Sequence, residues 1–274
     1  MNESKIKHHL LYDIALVLII IAGFWFRSVG LDWDDGQHLH PDERFLTMVE
    51  SAIVPVELTT EMTGAPPEGC EEWGGYFDTA CSSLNPHNRG HGFFVYGTLP
   101  IFATRYVAEW VGETGYGGVH LVGRQLSALA DLLSVILLYF IVARVYNRKI
   151  ALLSAAFSAF AVLQIQQSHF FTVDTFVNFF MFLTIYFAVE IVFSPGARDS
   201  AERGDKRFNI LSAKFIWLST GFGLALGMAV ASKINAAVLA ILLPLAFVLR
   251  FWQNQKQKSE RENEEEGSDQ LSII

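Results

Sequence analysis

The chain has 274 residues, of which 51% are hydrophobic and 14% aromatic, and its mean hydropathy is +0.31. The apolar residues come in long blocks, and about 20 apolar residues suffice to cross a bilayer as a helix. This pattern excludes an ordinary soluble domain, and the formal net charge of -8 argues against a nucleic-acid partner. We therefore predict an all-α, polytopic helical membrane protein.

About six blocks qualify as transmembrane helices: Leu10–Val29, Leu126–Tyr146, Ile150–Gln167, Phe176–Phe193, Phe215–Ala231 and Ala236–Phe251. A seventh stretch, Phe93–Val111, carries two charged residues, so we predict a helix lying at the membrane interface there; the alternative is a seventh span. The transmembrane domain is expected to cover residues 1–253. The charged residues 254–274 are predicted to form a disordered cytoplasmic tail.

Basic residues indicate the orientation, because Lys and Arg collect on the cytoplasmic side. With six spans, all four basic groups lie on one side: Lys5 and Lys7; Arg144, Arg148 and Lys149; Arg198, Arg203, Lys206, Arg207 and Lys214; and Arg250, Lys256 and Lys258. We predict a multi-pass plasma-membrane protein with both termini cytoplasmic. Residues 31–92 then form a large outer loop that bears juxtamembrane helices.

The outer loop is acidic and contains both cysteines of the chain. It contains twelve Asp and Glu residues but only two basic residues, Arg44 and Arg89. Most of these acidic residues are expected simply to keep the loop soluble. Cys70 and Cys81 lie in an oxidising compartment if the loop is outside, which favours a disulfide between them. Two free thiols, or a metal site, are the alternatives.

A second feature of this loop is the sequence His40-Pro41-Asp42-Glu43-Arg44, directly after the first span. Proline is favoured at the first position of a helix, which would put both carboxylates in the first turn. The helix dipole favours negative charge there, so the carboxylates suit a general base or a cation ligand. The alternative is an acidic turn that only helps a juxtamembrane helix to begin.

Two further polar residues are predicted on the outer side of the membrane. Asp174 begins the fourth span, where it could act at a site or simply cap the helix. Lys233 lies between the fifth and sixth spans, against the usual distribution of positive charge. It could hold a phosphate or pair with a carboxylate; the alternative is a lysine that only extends its amine to the interface.

Together these features resemble the GT-C glycosyltransferases, specifically the protein O-mannosyltransferase and aminoarabinose-transferase-like enzymes. The resemblance rests on one span followed by a large outer loop, on the acidic motif at Asp42 and Glu43, and on Asp174 in the second outer loop. The segment Gly227–Lys233 is similar to the Gly-rich, Lys-ending helix of that superfamily.

The resemblance implies an enzyme, a hexosyltransferase that moves a sugar from a polyprenyl-phosphate donor in the membrane lipid to an acceptor hydroxyl, with inversion. Asp42 would be the general base, with Glu43 as a second catalytic residue. Substrate-binding residues would be Arg44, Asp174, Lys233 and His40. No cofactor is certain; a divalent cation held by Glu43 and Asp174 is the candidate.

Members of this superfamily usually have more spans than six. We therefore expect an N-terminal half, with a fragment, a split subunit and a degenerate half as the alternatives. We predict that the isolated chain is unstable or inactive and that a second polytopic subunit rescues it. The alternatives from other classes are a non-catalytic membrane subunit or scaffold, and a small-solute transporter. A transporter would place polar residues near mid-membrane, whereas those of this chain gather at one side.

Overall fold

Helices account for the apolar blocks because lipid offers the backbone no hydrogen-bond partner. The computed structural model describes residues 3–58, 62, 64–194 and 213–272, and within these ranges it contains helices and no β-strand. The α-helices are α1 (Glu3–Ser28), α2 (Pro41–Ala52), α3 (Leu99–Val111), α4 (Tyr116–Val145), α5 (Arg148–Ala159), α6 (Val162–Ser168), α7 (Val173–Val192), α8 (Ala213–Ser232) and α9 (Leu242–Ser272). Short 3-10 helices cover Pro86–Arg89 and Ile234–Ile241.

Five helical segments are long and apolar enough to cross a membrane, and α5 with α6 adds a sixth if that bent pair is one span. The predicted all-helical, polytopic fold is therefore confirmed. Helix α4 is central and packs against α1, α2, α3, α5 and α7. Four of the basic residues used to predict orientation (Arg198, Arg203, Lys206 and Arg207) lie outside the described residues.

The predicted third span differs from expectation, because it is two helices bent by 57° at Phe160 and Ala161 rather than one continuous helix. The guanidinium of Arg27 lies at this break and donates to the carbonyls of Ala159 (2.8 Å) and Ser158 (3.3 Å). It also pairs with Asp131 of α4 at 2.7 Å. The buried guanidinium of Arg27 thus donates to backbone carbonyls that have no helical partner where the helix is interrupted.

Two other regions differ in part from the sequence prediction: the expected interfacial helix in where it begins, and the tail in its secondary structure. Helix α3 begins only at Leu99, and its 13 residues make it about 20 Å long, shorter than a bilayer core of about 30 Å. The tail beyond residue 253 continues α9 to Ser272, whereas we expected disorder. Gln, Lys, Arg and Glu dominate this segment, and all four are good helix formers.

The segment that contains Cys70 and Cys81 leads to a stretch that packs onto the end of α2. Cys70 and Cys81 form a disulfide, and the adjoining segment returns to α2, where the N–H of Val54 donates to the carbonyl of Ser83 (3.2 Å). Arg89 donates to the carbonyl of Ala52 at 2.6 Å. These contacts fix the C-terminal end of α2, so the acidic motif at its N-terminal end has a defined position.

Candidate active site

The acidic motif forms the first turn of α2, as its proline predicts. His40 is the N-cap, and its Nδ1 accepts from the N–H of Glu43 at 3.4 Å. The His40 ring stacks on Phe170, with centroids 4.3 Å apart. Successive residues on a helix point in directions about 100° apart, and here this separates the two carboxylates: Asp42 is exposed, whereas Glu43 is completely buried.

Glu43 lies in a buried cluster around Arg124 of α4. The guanidinium of Arg124 donates to both carboxylate oxygens of Glu43, each at 2.7 Å, and to Asp34 at 2.9 Å. The backbone N–H of Phe171 donates to the same Glu43 carboxylate at 2.9 Å. Such a bidentate pair is the strongest arrangement of arginine and carboxylate, and it joins α2, α4 and the segment before α7.

Close packing allows this cluster to form. The ring of Phe171 lies against Gly123, where an added Cβ would be only 2.2 Å from the ring. Phe171 is fully buried in the apolar core that also contains Leu46 and Val49 of α2. Gly123 therefore allows Phe171 to approach α4 closely enough for its N–H to reach Glu43.

Asp34, the other carboxylate of the cluster, is buried as well. Burial raises its pKa, but hydrogen bonds from the Leu39 N–H and from Arg124 outweigh burial, and the pKa lies below its ordinary value. Asp34 is therefore a carboxylate rather than a neutral acid. We refer to Asp34, Glu43 and Arg124 as the buried cluster.

Asp42 lies at an open rim instead. The hydroxyl of Tyr96 donates to its Oδ1 at 3.5 Å. Across the rim, Lys233 at the end of α8 pairs with Asp174 at the start of α7, with Nζ and Oδ1 2.6 Å apart. Both side chains of this pair are partly exposed, 37% and 54% respectively. We refer to Asp42, Tyr96, Asp174 and Lys233 as the open rim.

Tyr96 connects the two sides of the rim electrostatically. Burial raises the pKa of its hydroxyl, the carboxylates of Asp42 and Asp174 raise it further, and Lys233 opposes them. The hydroxyl therefore stays protonated. The position is set by backbone contact, since the N–H of Gly97 donates to the carbonyl of Ser232 at 3.1 Å, and an added Cβ on Gly97 would overlap the end of α8.

A cavity of about 550 Å³ opens beside the rim, between α4, α6 and α7. Its lining combines apolar side chains with amide and carboxyl groups, among them Gln164, Gln167, Asp174 and Asn178. The cavity therefore combines apolar walls with several groups that can form hydrogen bonds.

The structure brings together only some of the residues selected from sequence. Asp42, Asp174 and Lys233 share the open rim. Arg44 instead donates to the carbonyl of His38 at 2.9 Å, and His40 caps α2. Glu43 pairs with Arg124, whereas Asp174 pairs with Lys233. The described side chains that could hold a metal together are Asp32, Asp34 and His120.

Two important residues were not selected from sequence. Tyr96 lies in a segment that reads as a turn, and nothing in the sequence indicates its contact with the acidic motif. The sequence places Arg124 near the outer surface. Whether Arg124 or Arg44 pairs with the acidic motif depends on which face of α4 meets α2. Nothing in the sequence ranks Arg124 above Arg44 or Arg105.

Comparison with known proteins agrees with this architecture. The profile of the family described as dolichyl-phosphate-mannose-protein mannosyltransferase matches residues 105–263. Searches of curated proteins and of solved structures gave no match. The matched region contains Arg124, Asp174 and Lys233, whereas Asp42 and Tyr96 precede it. Since the match covers more than half of the chain, the protein belongs to the dolichyl-phosphate-mannose-protein mannosyltransferase family.

Proposed function

We propose that this protein transfers a sugar from a polyprenyl-phosphate donor to an acceptor hydroxyl at the outer face of the membrane, with inversion at the anomeric carbon. Membership of a mannosyltransferase family supports glycosyl transfer from such a lipid-linked donor. The observation that carries the finer proposal is the open rim, where an exposed carboxylate, Asp42, lies across from the Asp174–Lys233 pair at the mouth of a cavity.

The donor phosphate is assigned to the side of the rim near Lys233. A lysine is a compact point charge that binds phosphate, and a cation there would stabilise the leaving lipid phosphate as the glycosidic bond breaks. The amine is paired with Asp174, so the incoming phosphate would share or displace that carboxylate. The lipid tail would then lie along the apolar surface of the bundle.

Asp42 is assigned as the general base. Its exposure leaves one carboxylate oxygen accessible to an acceptor hydroxyl, while Tyr96 orients the other. In the proposed step the acceptor oxygen bonds to the anomeric carbon, the bond to the phosphate oxygen breaks, and the acceptor proton passes to Asp42. Attack from the side opposite the phosphate inverts the configuration.

Glu43 is assigned a positioning role rather than proton transfer. Both of its oxygens accept hydrogen bonds from Arg124, and one accepts a further bond from Phe171. A buried carboxylate whose oxygens are occupied in this way has no free oxygen to offer a substrate. Its contribution is to hold α2 against α4, so that Asp42 meets the donor in a reactive geometry.

The test is transfer activity of Asp42→Asn in membranes supplied with polyprenyl-phosphate mannose. Removing a general base costs about 10²–10⁴-fold in rate, and donor binding should be nearly unchanged. Asp35→Asn is the matched control, since Asp35 is an exposed aspartate of the same loop with a positive φ of 52° that Asn tolerates. Full activity of Asp42→Asn would contradict the proposal and favour a non-catalytic subunit.

The membrane orientation and the second subunit belong to the same proposal. We propose that residues 31–92 are outside and both termini cytoplasmic. Cysteines introduced at positions 60 and 205 should then react with an impermeant label from opposite sides, and labelling from one side would overturn the assignment.

The second subunit is tested by activity. Co-expression with a second polytopic chain should raise transfer activity; turnover by this chain alone at the same rate would exclude the need for that subunit.

A further inference from the structure

We propose that Asp32, Asp34 and His120, together with His38, form a binding site for a divalent transition-metal ion of the zinc class, which shares Asp34 with the buried cluster and is separate from the open rim. One ligand atom from each of the first three residues lies within 4.8 Å of the others. The site joins residues 32–38, which follow the first span, to the beginning of α4. It is independent of sugar transfer.

The first argument is the state of His120. Its side chain is 1% exposed, and neither ring nitrogen has a hydrogen-bond partner among the described residues. A buried imidazole without partners is destabilising, and native proteins rarely leave such a group unsatisfied. A metal ion would provide the missing partner.

The second argument is the pairing of two histidines. The rings of His38 and His120 lie 4.3 Å apart, His38 is 4% exposed, and its Nδ1 also lacks a partner among the described residues. Two imidazoles beside two carboxylates form a donor set that zinc accepts in four-coordinate sites.

The third argument is charge. Arg124 is the only cation in contact with Asp32, Asp34 and Glu43 within the described part of the chain, at 4.0, 2.9 and 2.7 Å. One positive charge against three carboxylates leaves two negative charges uncompensated, and two of these carboxylates are fully desolvated. A divalent cation balances that excess, which a buried group of charges requires.

The adjustment needed for binding is small. Asp32 is half exposed, and within the described part of the chain its carboxylate accepts only from the Gly36 N–H at 3.0 Å, besides its distant contact with Arg124. It can therefore turn toward His120. Asp34 keeps its bond to Arg124 through Oδ1 and its bond from Leu39 through Oδ2, and such outer hydrogen bonds are typical of carboxylates that ligate metals.

The experiment measures metal directly. The full chain is purified with a histidine-free tag, equilibrated with Zn²⁺, desalted and analysed for metal by mass spectrometry. Wild type and the control His87→Gln, which changes an exposed histidine of the same outer region, should each retain about one zinc per chain. His120→Gln should retain less than about a tenth of that, because a ligand is lost.

A second variant keeps the test decisive if His120→Gln folds poorly. Asp32→Asn alters a half-exposed side chain and should weaken zinc affinity by about 10–100-fold while the protein still folds. Zinc should raise the melting temperature of wild type and raise that of Asp32→Asn only at higher metal concentration. Wild type that retains no zinc, or variants that retain as much as wild type, would overturn the proposal.

Discussion

Two neighbouring carboxylates in the first turn of α2 lie in very different surroundings. In the buried cluster, Glu43 has every oxygen occupied and no contact with solvent, and it ties α2 to α4. At the open rim, Asp42 has a single long contact with Tyr96 and lies in solvent. A saturated carboxylate stabilises a structure but has no capacity left for a substrate, whereas an exposed one contributes little to stability and can react.

The comparison predicts that the largest loss of stability comes from the buried cluster. Arg124→Met removes the guanidinium and leaves Glu43 and Asp34 buried without their counter-charge, which typically costs about 3–5 kcal/mol. Thermal unfolding in detergent should show it as a large drop in melting temperature. The double variant Arg124→Met with Glu43→Leu should recover part of the loss, and purely additive losses would contradict the assigned pairing.

The next effect concerns the packing that allows the cluster to form. Gly123→Ala puts a methyl group against the ring of Phe171, and overpacking of this kind costs about 1–3 kcal/mol. We expect lower thermal stability and lower transfer activity together, because Phe171 moves away from Glu43. Gly117→Ala is the matched control, since no atom lies within 4 Å of its added Cβ. Equal stability of both variants would contradict this role of Gly123.

A third carboxylate of α2 gives a pH test. Glu50 is fully buried and both of its oxygens lack partners among the described residues. Burial raises its pKa well above the ordinary value, although Arg105 opposes the shift. The folded state therefore binds this proton more tightly than the unfolded state. Its stabilising contribution is complete below the unfolded pKa near 4.5 and is lost as pH rises through the higher folded pKa.

Glu50→Gln should therefore raise the melting temperature at alkaline pH, by the equivalent of about 1 kcal/mol, and should change it little at acidic pH. Unfolding midpoints of wild type and variant measured across a pH series would check this. Glu109→Gln is the control, because Glu109 is partly exposed and paired with Arg105. A variant less stable than wild type at high pH would show that the folded protein stabilises the ionised Glu50 carboxylate, which would contradict a raised pKa.

The smallest change in stability is expected at the open rim. The Asp174–Lys233 pair is partly exposed, so its removal should cost at most about 1 kcal/mol. Transfer activity should nevertheless fall by at least about tenfold in Lys233→Met, since stabilisation of the leaving phosphate is lost. Comparing initial rates with melting temperatures separates the two effects. A loss of stability as large as that of Arg124→Met would remove the distinction between the two regions.

Much of the architecture was readable from the sequence. Lipid forces long apolar blocks into helices, so the all-helical, polytopic fold follows from the position of those blocks. Pro41 correctly marked the beginning of α2, because proline suits the first turn of a helix. Family membership then agreed with the resemblance drawn from the acidic motif and from the residues around Asp174 and Lys233.

Tertiary structure alone decided which polar groups meet. Asp42 and Glu43 are neighbours in sequence, yet one lies in solvent and the other beneath α4, because the rotation of α2 about its axis is set by the packing of Leu46 and Val49. The partnership of Glu43 with Arg124 spans 81 positions, and that of Tyr96 with Asp42 spans 54. Hydropathy reports burial in lipid, but pairing at such separations depends on how the helices pack.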